Sequence, residues 1–180
     1  TLKETVNVSS FQGSLLVEPW EGLKQDDTPY RVFTPYWKAL MRDYIMTTPL
    51  AVPVDFKQPK SWPKSLKLDE LNLLPQMPIP RWDKDMMEHW QVGERSAYQH
   101  FQEFLEDGVV NYKEHRDFPA IGGTSLLSAH LHFGEISPLQ LFYFARDFQT
   151  QHSHKQSGLG DGIGNILRQI VWREFAHSLL

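Results

Sequence analysis

The chain has 180 residues, a net charge of −4 and no cysteine. The lack of cysteine excludes disulfides and thiolate catalysis, and the slight acidity excludes a domain that coats nucleic acid over its whole surface. Hydrophobic residues make up 41% and charged residues 22%, a globular composition, and no apolar run reaches the roughly 18 residues of a membrane helix.

Residues 1–33 are predicted to form short strands and turns, and they are too few for a domain of their own. Residues 5–8 alternate between apolar and polar side chains, and residues 14–17 form a short apolar run. A helix is predicted next, because Thr34 is a suitable N-cap and Pro35 suits the first helical position. Pro49 would end that helix.

Residues 49–81 are predicted to form an extended connector. Proline removes a backbone donor and blocks helix continuation, and so long a loop is uncommon inside a compact domain. Of the twelve prolines, seven lie in this stretch: Pro49, Pro53, Pro59, Pro63, Pro75, Pro78 and Pro80. The connector would separate residues 1–48 from residues 82–180.

From Trp82 onward the pattern predicts helices. One covers residues 94–104 and is stopped by Gly108, residues 112–127 form an irregular loop, and residues 128–133 form a short helix. Ser137, Pro138 and Gln140 form a capping box for a helix that ends near residue 148. The last helix begins near residue 161 and continues toward the end of the chain. The predicted fold class is mainly α.

The last helix has an apolar stripe and a polar side. The stripe comprises Ile163, Leu167, Ile170, Val171, Phe175 and Ser178, and the opposite side comprises Asn165, Gln169, Trp172, Arg173 and Ala176. Trp172 is either covered by a neighbouring helix or domain, which the pattern slightly favours, or is a stacking platform. Glu174 projects into the stripe and needs a partner, for which we predict an Arg or Lys of another helix.

Two further patterns concern ligands. Gly122 and Gly123 precede Thr124 and Ser125 in a loop that reaches Ser128 at a helix start, an arrangement suited to a phosphate or diphosphate. An ordinary glycine turn with a serine cap explains the same residues, and the pattern alone favours it. The histidine pairs at 130/132 and 152/154 predict no metal site, because positions i and i+2 do not share a helix face.

Three segments together resemble the DNA photolyase/cryptochrome family. They are residues 29–37 (PYRVFTPYW), residues 112–138, which include GTSLLS, and residues 169–175 (QIVWREF). The resemblance implies a fragment with three parts. Residues 1–48 would be the remnant of an α/β antenna domain, residues 49–81 the interdomain connector, and residues 82–180 the first part of a helical domain that binds FAD.

The resemblance also implies roles for particular residues. The expected FAD contacts are Tyr112, Thr124, Ser125, Leu126, Leu127 and Ser128. The expected contacts to damaged DNA are Arg116, Gln169, Trp172 and Arg173, with Trp172 stacked on a flipped base that Gln169 hydrogen-bonds. No catalytic side chain is expected within the chain, because FAD carries the chemistry. A second antenna chromophore of folate or deazaflavin type would belong to the full-length protein.

The implied reaction is light-driven electron transfer from FAD that splits a pyrimidine dimer, catalysed by a monomeric lyase of the bacterial cytoplasm. Gln169 stands where cyclobutane-dimer photolyases usually carry Glu, and Ile166 stands where many relatives carry Trp. The alternatives are therefore a (6-4) photolyase, a cryptochrome receptor without repair activity, or, outside the family, a helical interaction module. Alone, the 180 residues are expected to bind FAD poorly and to repair nothing.

Overall fold

The computed structural model describes residues 7–9, 13–43, 48–55, 57–73, 84–152, 154 and 157–180. Within these ranges the chain forms α-helices, one 3₁₀ turn (Leu68–Leu71) and one π-helical turn (Phe104–Gly108), and it forms no strand. The helices are α1 (Phe33–Asp43), α2 (Lys84–Glu88), α3 (Glu94–Glu103), α4 (Tyr112–His115), α5 (Ser128–His132), α6 (Pro138–His152) and α7 (Leu159–Ser178). The prediction of a mainly α fold is confirmed.

The chain divides into two compact units, of which the first comprises Thr1–Pro49 together with Val92–Leu180 and the second Leu50–Gln91. The second unit contains the 3₁₀ turn and α2, and most of its described apolar side chains are exposed. The division of the chain into antenna remnant, connector and FAD-binding part stays a prediction.

Helix α7 is the central element of the first unit, where it packs against α1, α4 and α6. Its buried face confirms most of the predicted apolar stripe, with Ser178 only half-buried. Gly162 on this face lies so close to the backbone of Val109 that a side chain there would meet the Val109 carbonyl oxygen. The π-helical turn that follows α3 brings Val109 to this position, because the Val109 amide donates to the carbonyl of Phe104, 2.8 Å away.

The predicted helix boundaries hold with two corrections. The capping box is confirmed, since Ser137 Oγ accepts from the Gln140 amide at 3.1 Å and Gln140 Oε1 accepts from the Ser137 amide at 2.8 Å. Helix α6 is one turn longer than predicted and ends at His152, whose ring stacks on Phe148 with centroids 4.2 Å apart. Residues 112–115 form α4 and are not irregular, as the amide of His115 donates to the carbonyl of Asn111.

The beginning of the chain also departs from the prediction. Helix α1 begins at Phe33, one residue before the predicted N-cap Thr34, and its predicted continuation enters residues 44–47, which lie outside the described residues. The strand predicted over residues 14–17 is wrong, because the amides of Leu16 and Val17 donate to the carboxylate of Glu174 and the described residues contain no strand for them to pair with. The other predicted strand, residues 5–8, lies partly outside the described ranges.

Candidate functional site

A cavity of about 770 Å³ lies within the first unit, between α7, the loop before α5 and the segment at residues 13–14. It brings together all six residues predicted to contact FAD, which are Tyr112, Thr124, Ser125, Leu126, Leu127 and Ser128. Gln169 and Arg173 of α7, both predicted to contact DNA, also line it. Side chains from three separate stretches of the chain therefore meet at one concave surface.

The loop before α5 has the geometry of an anion-binding turn. Leu126 has a left-handed backbone with φ of 53°, and Leu127 follows with φ of −86° and ψ of 0°. Such an alternation turns successive amide N–H groups toward one side and makes a concavity that suits anions. Within the described part of the chain, the hydroxyls of Thr124, Ser125 and Ser128 donate no hydrogen bond, so they are available to a ligand.

Tyr112 of α4 also lines the cavity. It is buried, packs edge-on against Phe104 with centroids 5.4 Å apart, and its burial raises the pKa of the phenol. Arg116 lies one turn further on, with its guanidinium carbon 5.9 Å from the Tyr112 ring. Arg116 does not line the cavity, and its Nε lies 3.5 Å from a carboxylate oxygen of Asp117.

Trp172 lies outside the cavity and stacks on Phe33 of α1. The ring centroids are 3.7 Å apart and the planes differ by 7°. The guanidinium of Arg168 lies over the Phe33 ring, 5.9 Å from its centroid, so a cation adjoins this aromatic stack. Trp172 remains 44% exposed. A base could therefore stack only on the indole surface that Phe33 leaves uncovered.

Glu174 is buried in the apolar stripe, as predicted, but its partner is not an Arg or Lys of another helix. Its Oε2 accepts from the amides of Leu16, at 2.6 Å, and Val17, at 3.4 Å. Its Oε1 lies 3.3 Å from the guanidinium of Arg173, the preceding residue of the same helix. The prediction was wrong because the stripe faces the irregular segment at residues 14–17, which supplies free amides in place of a cation.

Burial raises the pKa of the Glu174 carboxyl to about 7, although the two amides and Arg173 favour the charged form. In the unfolded chain this carboxyl has its ordinary pKa of 4.5. Between pH 4.5 and about pH 7 the unfolded chain therefore binds fewer protons than the folded protein. The stabilisation from Glu174 is thus complete below pH 4.5 and is lost as the pH rises through about 7.

We expect the free energy of unfolding of the Glu174→Gln variant to depend less on pH than that of the wild type between about pH 5 and about pH 8. The difference between the two proteins should change by up to about 3 kcal/mol across this range, because Gln cannot titrate. Urea unfolding at several pH values measures it. Parallel pH profiles for the two proteins would contradict the assignment.

Sequence reasoning missed the part of the cavity that comes from the start of the chain. Gly13 and Ser14 line the cavity, and Arg173 donates to the carbonyl oxygen of Ser14 at 2.6 Å. The only signal in the sequence was the carboxylate of Glu174 within an apolar stripe, which indicated an unknown polar partner. Phe33 was missed as well, because nothing in its surroundings in the sequence indicates a stack with Trp172.

His130 of α5 connects His100 of α3 and Glu135 through hydrogen bonds. The fully buried ring of His130 has Nδ1 at 2.5 Å from Glu135 Oε2 and Nε2 at 3.3 Å from Nδ1 of His100. The hydrogen bond from His130 lowers the pKa of Glu135.

Across the described ranges, no cluster of three or more His, Asp or Glu residues could hold a metal ion. No described helix is both long enough and apolar enough to cross a membrane.

Comparison with known proteins identifies the family. The DNA photolyase family model matches residues 1–55. A deoxyribodipyrimidine photo-lyase of Agrobacterium fabrum is 38% identical over 97% of this chain and 35% of its own length, and that of Escherichia coli is 30% identical over 94% and 34%. Cryptochrome-2 of Arabidopsis thaliana is 29% identical over 97% of this chain and 29% of its own length.

The fold comparison agrees with these matches. The crystal structure of a bacterial class III photolyase from Agrobacterium tumefaciens superposes with a TM-score of 0.86 at 38% identity, over 99% of this chain and 36% of that one. The chain belongs to the DNA photolyase/cryptochrome family. It spans about a third of the length of the photolyases that it matches.

Proposed function

We propose that the chain is part of a DNA photolyase that binds FAD in the 770 Å³ cavity and uses light to split pyrimidine dimers in DNA. The observation that carries the proposal is the convergence of the left-handed turn at Leu126 with three unpaired hydroxyls on one cavity wall. A dinucleotide cofactor needs such a wall for its diphosphate, whose oxygens accept hydrogen bonds from amides and hydroxyls.

The residues of the cavity fit FAD in shape as well as in their hydrogen-bond donors. Gly123 lies against the backbone of His115, and a Cβ added to Gly123 would stand 2.4 Å from the Cβ of His115. Because glycine allows this close approach, the hydroxyls that follow it reach the cavity. Tyr112 adds an aromatic ring to the lining of the cavity. FAD, when bound, supplies the light-driven electron donation, and these residues hold and orient it. An antenna chromophore of folate or deazaflavin type would collect light elsewhere in a monomeric bacterial enzyme of the cytoplasm.

The DNA would approach along α7. Gln169 is half-buried at the cavity and offers an amide to a base edge, and Trp172 has exposed indole surface for a flipped base. Arg116 and Arg173 would serve the DNA backbone or the rim of the cavity, although the carbonyl of Ser14 already occupies part of the Arg173 guanidinium. Base–aromatic stacking stabilises such complexes by about 1–3 kcal/mol per base.

The direct test uses the full-length protein that contains these residues. Its visible spectrum is expected to contain flavin bands, and illumination with an oligonucleotide carrying a cyclobutane dimer is expected to restore the intact pyrimidines. The same mixture kept in the dark is the control. Flavin without repair of either a cyclobutane or a (6-4) lesion would favour a cryptochrome receptor, and a protein without flavin would contradict the proposal.

Gln169 favours a second candidate, a (6-4) photolyase or a cryptochrome, because an amide cannot offer a carboxylate to the lesion. We expect Gln169→Glu to raise cyclobutane-dimer repair several-fold, since a hydrogen bond to a charged group is stronger than a neutral one by about 1 kcal/mol. Gln149→Glu adds the same charge outside the cavity, beside Arg146, and is the matched control. An equal response of the two variants would favour the second candidate.

A further inference from the structure

The wall of the cavity at residues 13–14 is held by side chains of α7. Gly13 and Ser14 line the cavity, yet residues 13–17 belong to no helix or strand. The segment instead receives bonds from two neighbouring residues of α7. Glu174 accepts from the amides of Leu16 and Val17, and Arg173 donates to the carbonyl of Ser14 at 2.6 Å.

The bond from the Leu16 amide to Glu174 forms in a dry environment, whereas the bond from Arg173 to Ser14 is exposed to solvent. Glu174 is 2% exposed and Leu16 is 4% exposed, so water does not compete for the carboxylate. An amide that is buried without an acceptor is costly, so the Leu16 amide depends on the Glu174 oxygen. Arg173 joins the two ends of the arrangement, because its Nη1 contacts both Glu174 and Ser14. We call this group, Glu174, Arg173 and residues 14–17, the clamp.

Burial of a carboxylate is an inefficient way to stabilise a fold. An apolar residue of similar volume is often equal or better in stability, whereas a buried polar group can fix one arrangement among several. The arrangement fixed here is the path of residues 13–17, of which Gly13 and Ser14 line the cavity. The neighbouring Phe175 already supplies the apolar contact with Tyr36 of α1, with centroids 5.5 Å apart, so cohesion between α7 and α1 does not require Glu174.

We propose that Glu174 is a positioning residue for the ligand of the cavity, which holds residues 13–17 as a closed wall and thereby slows the release of that ligand. The identity of the ligand as FAD rests on the proposed function. The clamp itself rests on the contacts of residues 14–17 with α7.

The test compares Glu174→Gln and Glu174→Ala with the wild-type full-length protein. Glu103→Gln, which neutralises an exposed carboxylate that does not line the cavity, is the control. We expect FAD to dissociate about tenfold faster from the Ala variant and less so from the Gln variant, whose oxygen can still accept from Leu16. Amide hydrogen exchange at Leu16 and Val17 should accelerate in the same order. The Gln variant should be no less stable to urea than the wild type.

Loss of flavin without loss of stability in the Gln variant would distinguish positioning from a merely structural role. Unchanged flavin release in both variants would overturn the inference, as would release that increases only in a destabilised Ala variant. A wild-type protein without flavin would instead contradict the proposed function. In that case the rate at which the thiol of a Ser14→Cys variant is labelled, followed on the peptide that contains residue 14, decides the matter. If the thiol at position 14 is labelled no faster once Glu174→Gln is added, the clamp is overturned.

Discussion

Gly162→Ala is expected to destabilise the protein by about 3 kcal/mol, at the upper end of the usual cost of overpacking a core. The Cβ of alanine would stand 2.1 Å from the carbonyl oxygen and 2.8 Å from the carbonyl carbon of Val109. Both are backbone atoms that follow the π-helical turn, so they cannot move away as a flexible side chain would. Helix α7 would have to separate from the chain at Val109. Urea unfolding followed by circular dichroism measures the effect.

Gly164→Ala is the matched control for this prediction. Gly164 lies two residues further along α7, and no atom lies within 4 Å of the Cβ that would be added there. Alanine is favoured over glycine in a helix interior by about 0.5–1 kcal/mol, so this variant should be more stable than the wild type. Two variants of equal stability would show that the contact between α7 and Val109 is not as close as described.

Gly123→Ala is expected to weaken FAD binding at least about tenfold, because misplacing binding groups by even an ångström is costly. The added Cβ would lie 2.4 Å from the Cβ of His115 and 2.7 Å from its carbonyl carbon. Relief of this overlap must shift either α4 or the loop that begins with Thr124. Both carry residues of the cavity wall. Flavin content and flavin dissociation rate of the full-length protein measure the effect.

Gly122→Ala supplies the comparison, since the two glycines are adjacent and differ only in their surroundings. No atom lies within 4 Å of a Cβ at Gly122, and neither glycine has a left-handed backbone. The Gly122 variant should therefore retain wild-type flavin content. A loss of flavin in both variants would indicate that loop flexibility matters and that the contact with His115 does not.

The features that could be predicted from the sequence are those whose causes lie within one turn of helix. The capping box at Ser137 and Gln140 formed as expected because its donors and acceptors are three residues apart. The apolar stripe of α7 was predictable for the same reason, since periodicity determines which side chains share a face. The run of hydroxyls at Thr124 and Ser125 could be singled out from the sequence, and the resemblance to a known family suggested FAD as its ligand.

The features that could not be predicted depend on contacts between distant parts of the chain. Residues 14–17 have the composition of a strand, but the partner of their amides is the carboxylate of Glu174. Trp172 is on the polar side of α7, as periodicity indicated, yet only the fold determines that Phe33 covers it. Tertiary packing determines which distant residues come into contact, and local sequence patterns carry no information about it.

The clamp between Leu16 and Glu174 also affects when the cavity is completed during synthesis. The two residues are 158 positions apart, so the carboxylate leaves the ribosome long after the segment that it binds. The amides of Leu16 and Val17 must remain in water, or find temporary partners, until α7 has been made. Formation of this wall is therefore a late, long-range step of folding, and any ligand that arrives during translation meets a cavity that lacks it.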